Sequence, residues 1–189
     1  MQSSPSHTYS QSVDKQRILV VGKSKARITE MILFVLRDYH RKFDFTTPAS
    51  ESFSDAPIVI IESNDLSPDI ITYQPHIVIL SNMPADGKDT YSQLADSVSK
   101  CGVIIYDETD SKVKEIASKE RPDVSTIPYS VYKHESQAGK AMLITSTKEK
   151  ISIQLTAVED LKNISAAKEL LKKVGISSGQ FYRTIASFK

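Results

Sequence analysis

Apolar positions come in short blocks along the first two thirds of the chain, and each block ends in polar residues or glycine. Residues 17–21 (RILVV) run into Gly22, residues 57–62 (PIVIIE) into Ser63, and residues 76–82 (HIVILSN) into Met83. Residues 102–108 (GVIIYDE) repeat the form, and residues 123–129 (DVSTIPY) read as a fifth strand. Unbroken apolar runs of this length predict strands buried on both faces. Between them the period changes. Ile28, Met31, Ile32, Val35 and Leu36 fall at helical spacing, and residues 90–100 and 110–119 read as two further helices. Strands alternating with helices predict an α/β fold, a mostly parallel sheet with helices on both faces.

Past residue 129 the rhythm changes again. Residues 130–136, 141–147 and 150–156 are short alternating runs separated by QAGK and TKEK. They predict a small antiparallel sheet over about 130–156 with tight turns. Two closing helices follow over about 158–188. Ile164, Ala167, Leu171 and Val174 share a face of the first, with Gly175 at its C-cap; Phe181, Ile185 and Phe188 share a face of the second. Residues 1–15 are rich in Ser and Gln and offer little to bury, so they are expected to be a mobile tail before a single domain over 16–189.

Composition narrows the partners. A hydrophobic share of 40% supports a real core, and the net charge of +1 gives no general pull toward nucleic acid or anionic lipid. Cys101 is the only cysteine, so no intrachain disulfide forms and a reducing compartment is expected. No apolar run nears the ~20 residues of a membrane span, and the first residues lack the apolar core of a secretory signal. A cytoplasmic protein is expected, with no nucleic acid and no membrane, and with an unknown protein partner or self-association as its contact.

In a parallel sheet the chemistry gathers at the carboxyl ends of the strands. That edge collects residues 22–25, 62–65, 82–89 and 107–110. The first stretch contains Gly-Lys-Ser, the ending of a phosphate loop. The full motif needs a glycine five residues before Gly22, and that position is Arg17, inside a strand.

A second register brings in a family. The ordered chain resembles the central, ATP-binding domain of the Mur ligases of bacterial cell-wall synthesis, which is P-loop-NTPase-like. It is nearest the muropeptide-recycling branch, which joins UDP-N-acetylmuramate to a tripeptide, and the UDP-N-acetylmuramate–alanine ligase branch. The carrying segments, in order, are KFDF (42–45), APIVIIES (56–63), YQPHIVILS (73–81), GVIIYDETDSKV (102–113), TIPY (126–129) and GISSGQFYRTIASF (175–188). The family's loop reads G-T-H-G-K-T-T. Here it is Gly22, Lys23, Ser24, Lys25, Ala26, Arg27, Ile28. Ala26 stands where the family has the phosphate-binding Lys, and Arg27 where it has the magnesium-binding Thr. Gly87 stands at the family's metal-side His. Of the nucleotide-holding segment, Asn163 and the pair Ala166–Ala167 remain. The resemblance ends at Phe188–Lys189, where the family runs on into a C-terminal domain, and it includes no UDP-sugar domain.

The resemblance therefore implies a degenerate central domain, a catalytically inactive binding or scaffold protein linked to peptidoglycan precursor metabolism, with no cofactor expected. The alternative is a weak ATP-binding component of an ATP-dependent UDP-N-acetylmuramate–amino acid or peptide ligase, with ATP and Mg²⁺ as cofactors. Gly22, Lys23, Ser24, Lys25, Arg27 and Asn163 are the vestigial nucleotide or anion site. The three cations either attract an anion at the helix start or form a solvated basic turn. Glu62 is a vestigial metal ligand, with Asp65 or Asp86 as companion, or a relic carboxylate. No catalytic residue is assigned. His76 is expected to be structural and Cys101 a buried hydrophobe. His7, His40 and His134 show no metal spacing.

Overall fold

A computed structural model describes residues 4–63, 68–137 and 140–189. Among them are helix α1 (Pro5–Ser10), strand β1 (Gln16–Val21), α2 (Lys25–Asp38), β2 (Asp44–Thr46), β3 (Glu51–Ser52) and β4 (Ile58–Glu62). A 3₁₀ helix (Pro68–Tyr73) leads to β5 (Ile77–Leu80), α3 (Lys88–Asp96), β6 (Val103–Asp107), α4 (Ser111–Ala117) and β7 (Ser125–Tyr129). The chain closes with β8 (His134–Gln137), β9 (Lys140–Ile144), β10 (Lys150–Ile153), α5 (Val158–Lys173) and α6 (Ser178–Ile185). The large sheet has the order β3-β2-β4-β1-β5-β6-β7, and β2, β4, β1, β5 and β6 run parallel. The small sheet, β10-β9-β8, is antiparallel. The expected α/β architecture is thus present. The turn expected at residues 138–139 lies outside the described residues.

The chain divides into two compact units, residues 1–26 with 42–128, and residues 27–41 with 129–189. In the first, Leu19, Val21, Ile61, Val78, Leu80 and Ile104 line one face of the sheet. They pack with Tyr73 of the 3₁₀ helix, Tyr91 and Leu94 of α3, and Val113 and Ile116 of α4. The alternate positions Ile18, Val20, Ile60, Ile79 and Ile105 are fully buried as well. Burial on both faces explains why these strands read as unbroken apolar runs.

Residues 4–15 differ from the mobile tail expected for 1–15. Ser4 caps α1, its hydroxyl accepting the His7 N–H, and Thr8 and Ser12 are fully buried. The order is supplied by polar bonds, which hydrophobic patterning does not register. Arg17, 5% exposed, donates through Nε to the carbonyls of Tyr73 (2.9 Å) and Gln74 (3.1 Å) and through Nη1 to that of Ser12 (2.8 Å). Its guanidinium also lies 5.0 Å from the centre of the Tyr9 ring. Lys15 makes a buried ion pair with Asp44 at 2.6 Å and donates to the Ser54 carbonyl. Asp44 sits on β2, a strand of three residues that offers no apolar run to detect.

In the second unit, Ile28, Met31, Ile32, Val35 and Leu36 of α2 are fully buried. Contacts join α2 and the segment after it to the closing helices. Phe34 meets Phe188 edge-on at 5.2 Å, Tyr39 Oη donates to the Gln180 carbonyl, and Arg41 donates to the Val174 carbonyl. Gly175 ends α5 at φ +82°. Its N–H bonds the Lys172 carbonyl and that of Ile176 bonds Leu171, the Schellman pattern. Ser177 and Gln180 then form a capping box on α6.

Cys101 departs from its expected burial. It is exposed at φ +60° in a turn closed by the Gly102 N–H on the Ser99 carbonyl, and β6 starts two residues later.

Candidate functional site

The parallel register brings the strand ends level. Val20 pairs with Glu62, Val21 with Leu80, and Leu80 with Tyr106. Gly22, Ser63, Ser81 and Asp107 therefore leave the sheet on one edge, as the alternation of strands and helices predicts.

Gly22 turns the chain at φ +106°. A Cβ there would lie 2.2 Å from Ser81 Oγ and 2.9 Å from the Asn82 carbonyl oxygen, so the turn lies directly against the end of β5. The amides of the turn are bonded to the protein itself. The Lys23 N–H donates to the Asn82 carbonyl at 3.1 Å, and the Ser24 N–H to Ser81 Oγ at 3.3 Å. The Lys25 N–H donates to the Gly22 carbonyl at 3.3 Å. Ser24 Oγ donates to Asn82 Oδ1 at 3.0 Å, and Ser81 Oγ to the Val21 carbonyl at 2.8 Å. Lys25 Nζ also donates to the Gly22 carbonyl, at 3.3 Å. Lys23 is exposed.

A phosphate cradle works by presenting backbone N–H groups to an anion. Here Ser81 and Asn82 accept two of those N–H groups and Gly22 a third. An anion reaching the amides of Lys23, Ser24 or Lys25 would have to displace these bonds. Asn82 begins one of the stretches expected along this edge, but neither it nor Ser81 is among the expected site residues. Their signal is a polar pair directly after an apolar strand, which reads equally well as an ordinary strand end.

Glu62 ends β4 at 7% exposure. Asp65 lies outside the described residues, and Asp86 is exposed in the loop before α3. Among the described residues no group of three or more His, Cys, Asp or Glu is placed to hold a metal. Asp107 is fully buried and accepts both the N–H and the hydroxyl of Thr109. Asp110 caps α4, accepting the Lys112 and Val113 amides, and its second oxygen accepts the Met83 N–H at 3.1 Å. These carboxylates organise loops.

Arg27 and Asn163 belong to the second unit. Arg27 donates to Asp160 at 3.0 Å and to Glu30 at 2.8 Å, with its guanidinium 4.6 Å from the centre of the Phe188 ring. Two carboxylates thus balance a charge expected to face an anion. Asn163 is 3% exposed, and its Oδ1 has no hydrogen-bond partner among the described residues. His76 is structural as expected. Its Nδ1 accepts the Arg17 N–H at 3.0 Å, and burial, then the nearby guanidinium, lowers its pKa.

No protein-family model and no curated protein sequence matches the chain. Solved structures do match. The chain superposes on a murein peptide ligase from Psychrobacter arcticus with a TM-score of 0.76 at 13% identity, covering 98% of this chain and 50% of that one. The fold is that of the Mur ligases. A UDP-N-acetylmuramate:L-alanyl-γ-D-glutamyl-meso-diaminopimelate ligase from Neisseria meningitides gives 0.76 at 14% identity, covering 98% of this chain and 70% of that one. MurF ligase from Thermotoga maritima, in complex with ADP, gives 0.76 at 13% identity, with 98% and 51% covered. This chain thus spans about half of two of these Mur ligases and 70% of the third. Among the described residues no helix is long and apolar enough to cross a membrane.

Proposed function

We propose that this chain is a degenerate Mur-ligase-like domain that does not turn over ATP and acts as a cytoplasmic binding or scaffold module alongside peptidoglycan precursor enzymes. One observation carries the reading: the turn amides at Lys23, Ser24 and Lys25 are bonded to Asn82, Ser81 and Gly22. Opening that turn to phosphate breaks bonds before any are gained. The resemblance adds Ala26 at the phosphate Lys and Gly87 at the metal-side His. Loss of one such electrostatic group typically removes about 3 kcal/mol of transition-state stabilisation.

The test is titration calorimetry with ATP and Mg²⁺, followed by ATP hydrolysis with and without muramyl precursors. The expected outcome is no saturable binding below about 100 μM and no turnover. Binding tighter than that favours the alternative, a weak ATP-binding component of a UDP-N-acetylmuramate–amino acid or peptide ligase, for which exposed Lys23 would supply the cation.

A further inference from the structure

The near-neutral total conceals a separation of charge. The second unit carries thirteen Lys and Arg against seven Asp and Glu, net +6; the first carries eleven against sixteen, net −5. Within the second unit the excess gathers where the segment after α2 meets the ends of α5 and α6. Arg41 Nη2 donates to the Val174 carbonyl at 3.0 Å, Tyr39 Oη to the Gln180 carbonyl at 3.1 Å, and Thr184 Oγ1 to Asp38. These bonds bring exposed Arg37, His40, Arg41, Lys172, Lys173 and Arg183 into one region. Two carboxylates offset part of this charge: Asp38 accepts from the neutral Thr184 hydroxyl, and Glu169 pairs with Lys172 at 2.7 Å. Arg41 and Arg183 are also steadied by the backbone carbonyls of Val174 and Gly179. A steadied guanidinium loses less freedom when it meets an oxyanion.

The first unit offers the opposite charge. Asp86 and Asp89 are exposed, Glu108 and Asp110 half-buried, and the Met83–Asp110 hydrogen bond joins their two loops. Two lysines stand among them, Lys88, paired with Glu115 at 3.2 Å, and exposed Lys112.

We propose that the basic end of α2, α5 and α6 docks on the Asp86–Asp110 lip of a second copy of this chain. Charge complementarity selects this occupant. A nucleic acid presents a continuous line of negative charge, and to it the whole chain offers only +1. A compact acidic lip meets the basic end alone. The two surfaces differ, so the contact is heterologous and assembly continues beyond a dimer unless a ring closes. The inference holds whether or not the turn at residues 22–25 binds a nucleotide.

Light scattering and sedimentation equilibrium on the full chain test it, at about 0.2 mM protein in ~20 mM and ~500 mM NaCl. The screening length shrinks from roughly 20 Å to roughly 4 Å between these conditions. In low salt the weight-average mass rises at least about two-fold above the 21.0 kDa monomer, and in high salt it returns to the monomer. Lys172→Glu with Lys173→Glu and Arg183→Glu gives a monomer at low salt, as does Asp86→Lys with Glu108→Lys. An equimolar mixture of the two variants associates again, which only folded variants with complementary surfaces do. A strict wild-type monomer at low salt overturns the proposal, as does association that survives high salt or either charge reversal. A monomer that instead binds a DNA duplex assigns the basic end to nucleic acid and overturns it too.

Discussion

Replacing Gly22 with Ala tests the closed turn most directly. At φ +106° an L-residue is strained, typically by about 1–3 kcal/mol. The added Cβ would lie 2.2 Å from Ser81 Oγ, and Ser81 is fully buried with its hydroxyl bonded to the Val21 carbonyl and to the Ser24 N–H. Rotating Ser81 away breaks both bonds, each contributing about 0.5–1.5 kcal/mol net. The backbone atoms at 2.9 Å, the Asn82 oxygen and the Ser81 carbonyl carbon, then still have to shift. The sum is about 2–6 kcal/mol, a large part of the 5–15 kcal/mol typical of a domain. Urea unfolding followed by circular dichroism measures it. Gly179→Ala is the control, because nothing lies within 4 Å of a Cβ there and the position is helical. It should be neutral, or stabilising by up to about 1 kcal/mol. Adding Ser81→Ala to Gly22→Ala relieves the contact with Oγ but also removes both of its hydrogen bonds, so it should recover little of the loss. A Gly22→Ala protein within about 0.5 kcal/mol of the parent would refute the turn geometry and the reading built on it.

The other predictions concern the first unit. Asp44→Ala leaves Lys15 charged and buried and should cost about 3–5 kcal/mol, whereas Lys15→Met with Asp44→Leu should cost much less, as urea midpoints will show. Burial alone would raise the Asp44 pKa, but hydrogen bonds from Lys15 and Ser54 outweigh it and the net shift is downward. Its stabilising contribution is thus full above the ordinary carboxylate value of about 3.9 and fades as pH falls through the lower folded value. His76 is also shifted down, so its contribution is full above about 6.5 and lost as pH falls through its folded value. The His76→Asn variant, which keeps an acceptor for the Arg17 N–H, should flatten the stability profile below pH ~6.5. Arg17→Met removes donors to the Tyr73, Gln74 and Ser12 carbonyls. Hydrogen exchange over residues 5–15 should then speed at least about ten-fold, the equivalent of 1.4 kcal/mol.

The frame of the fold is legible where burial is two-sided or periodic. Residues 17–21, 57–62, 76–82 and 102–108 announce β1, β4, β5 and β6 because every side chain on those strands must be apolar or partnered. The α2 and α5 stripes announce themselves through spacing. What escapes is order built from hydrogen bonds to carbonyls. Residues 4–15 hold to the sheet through Arg17 and Lys15, whose charged groups hydrophobic patterning does not register as anchors. β2 begins with a buried aspartate and escapes for the same reason. The turn shows both limits together. The letters show Ala26 where the resemblance expects a Lys, but not the direction of the turn's amides. Ser81 and Asn82 lie nearly sixty residues away in sequence and reach Ser24 because β5 pairs with β1 in register. Buried N–H groups must be satisfied by something. For Lys23 and Ser24 the acceptors stand at the end of the neighbouring strand, on Asn82 and Ser81.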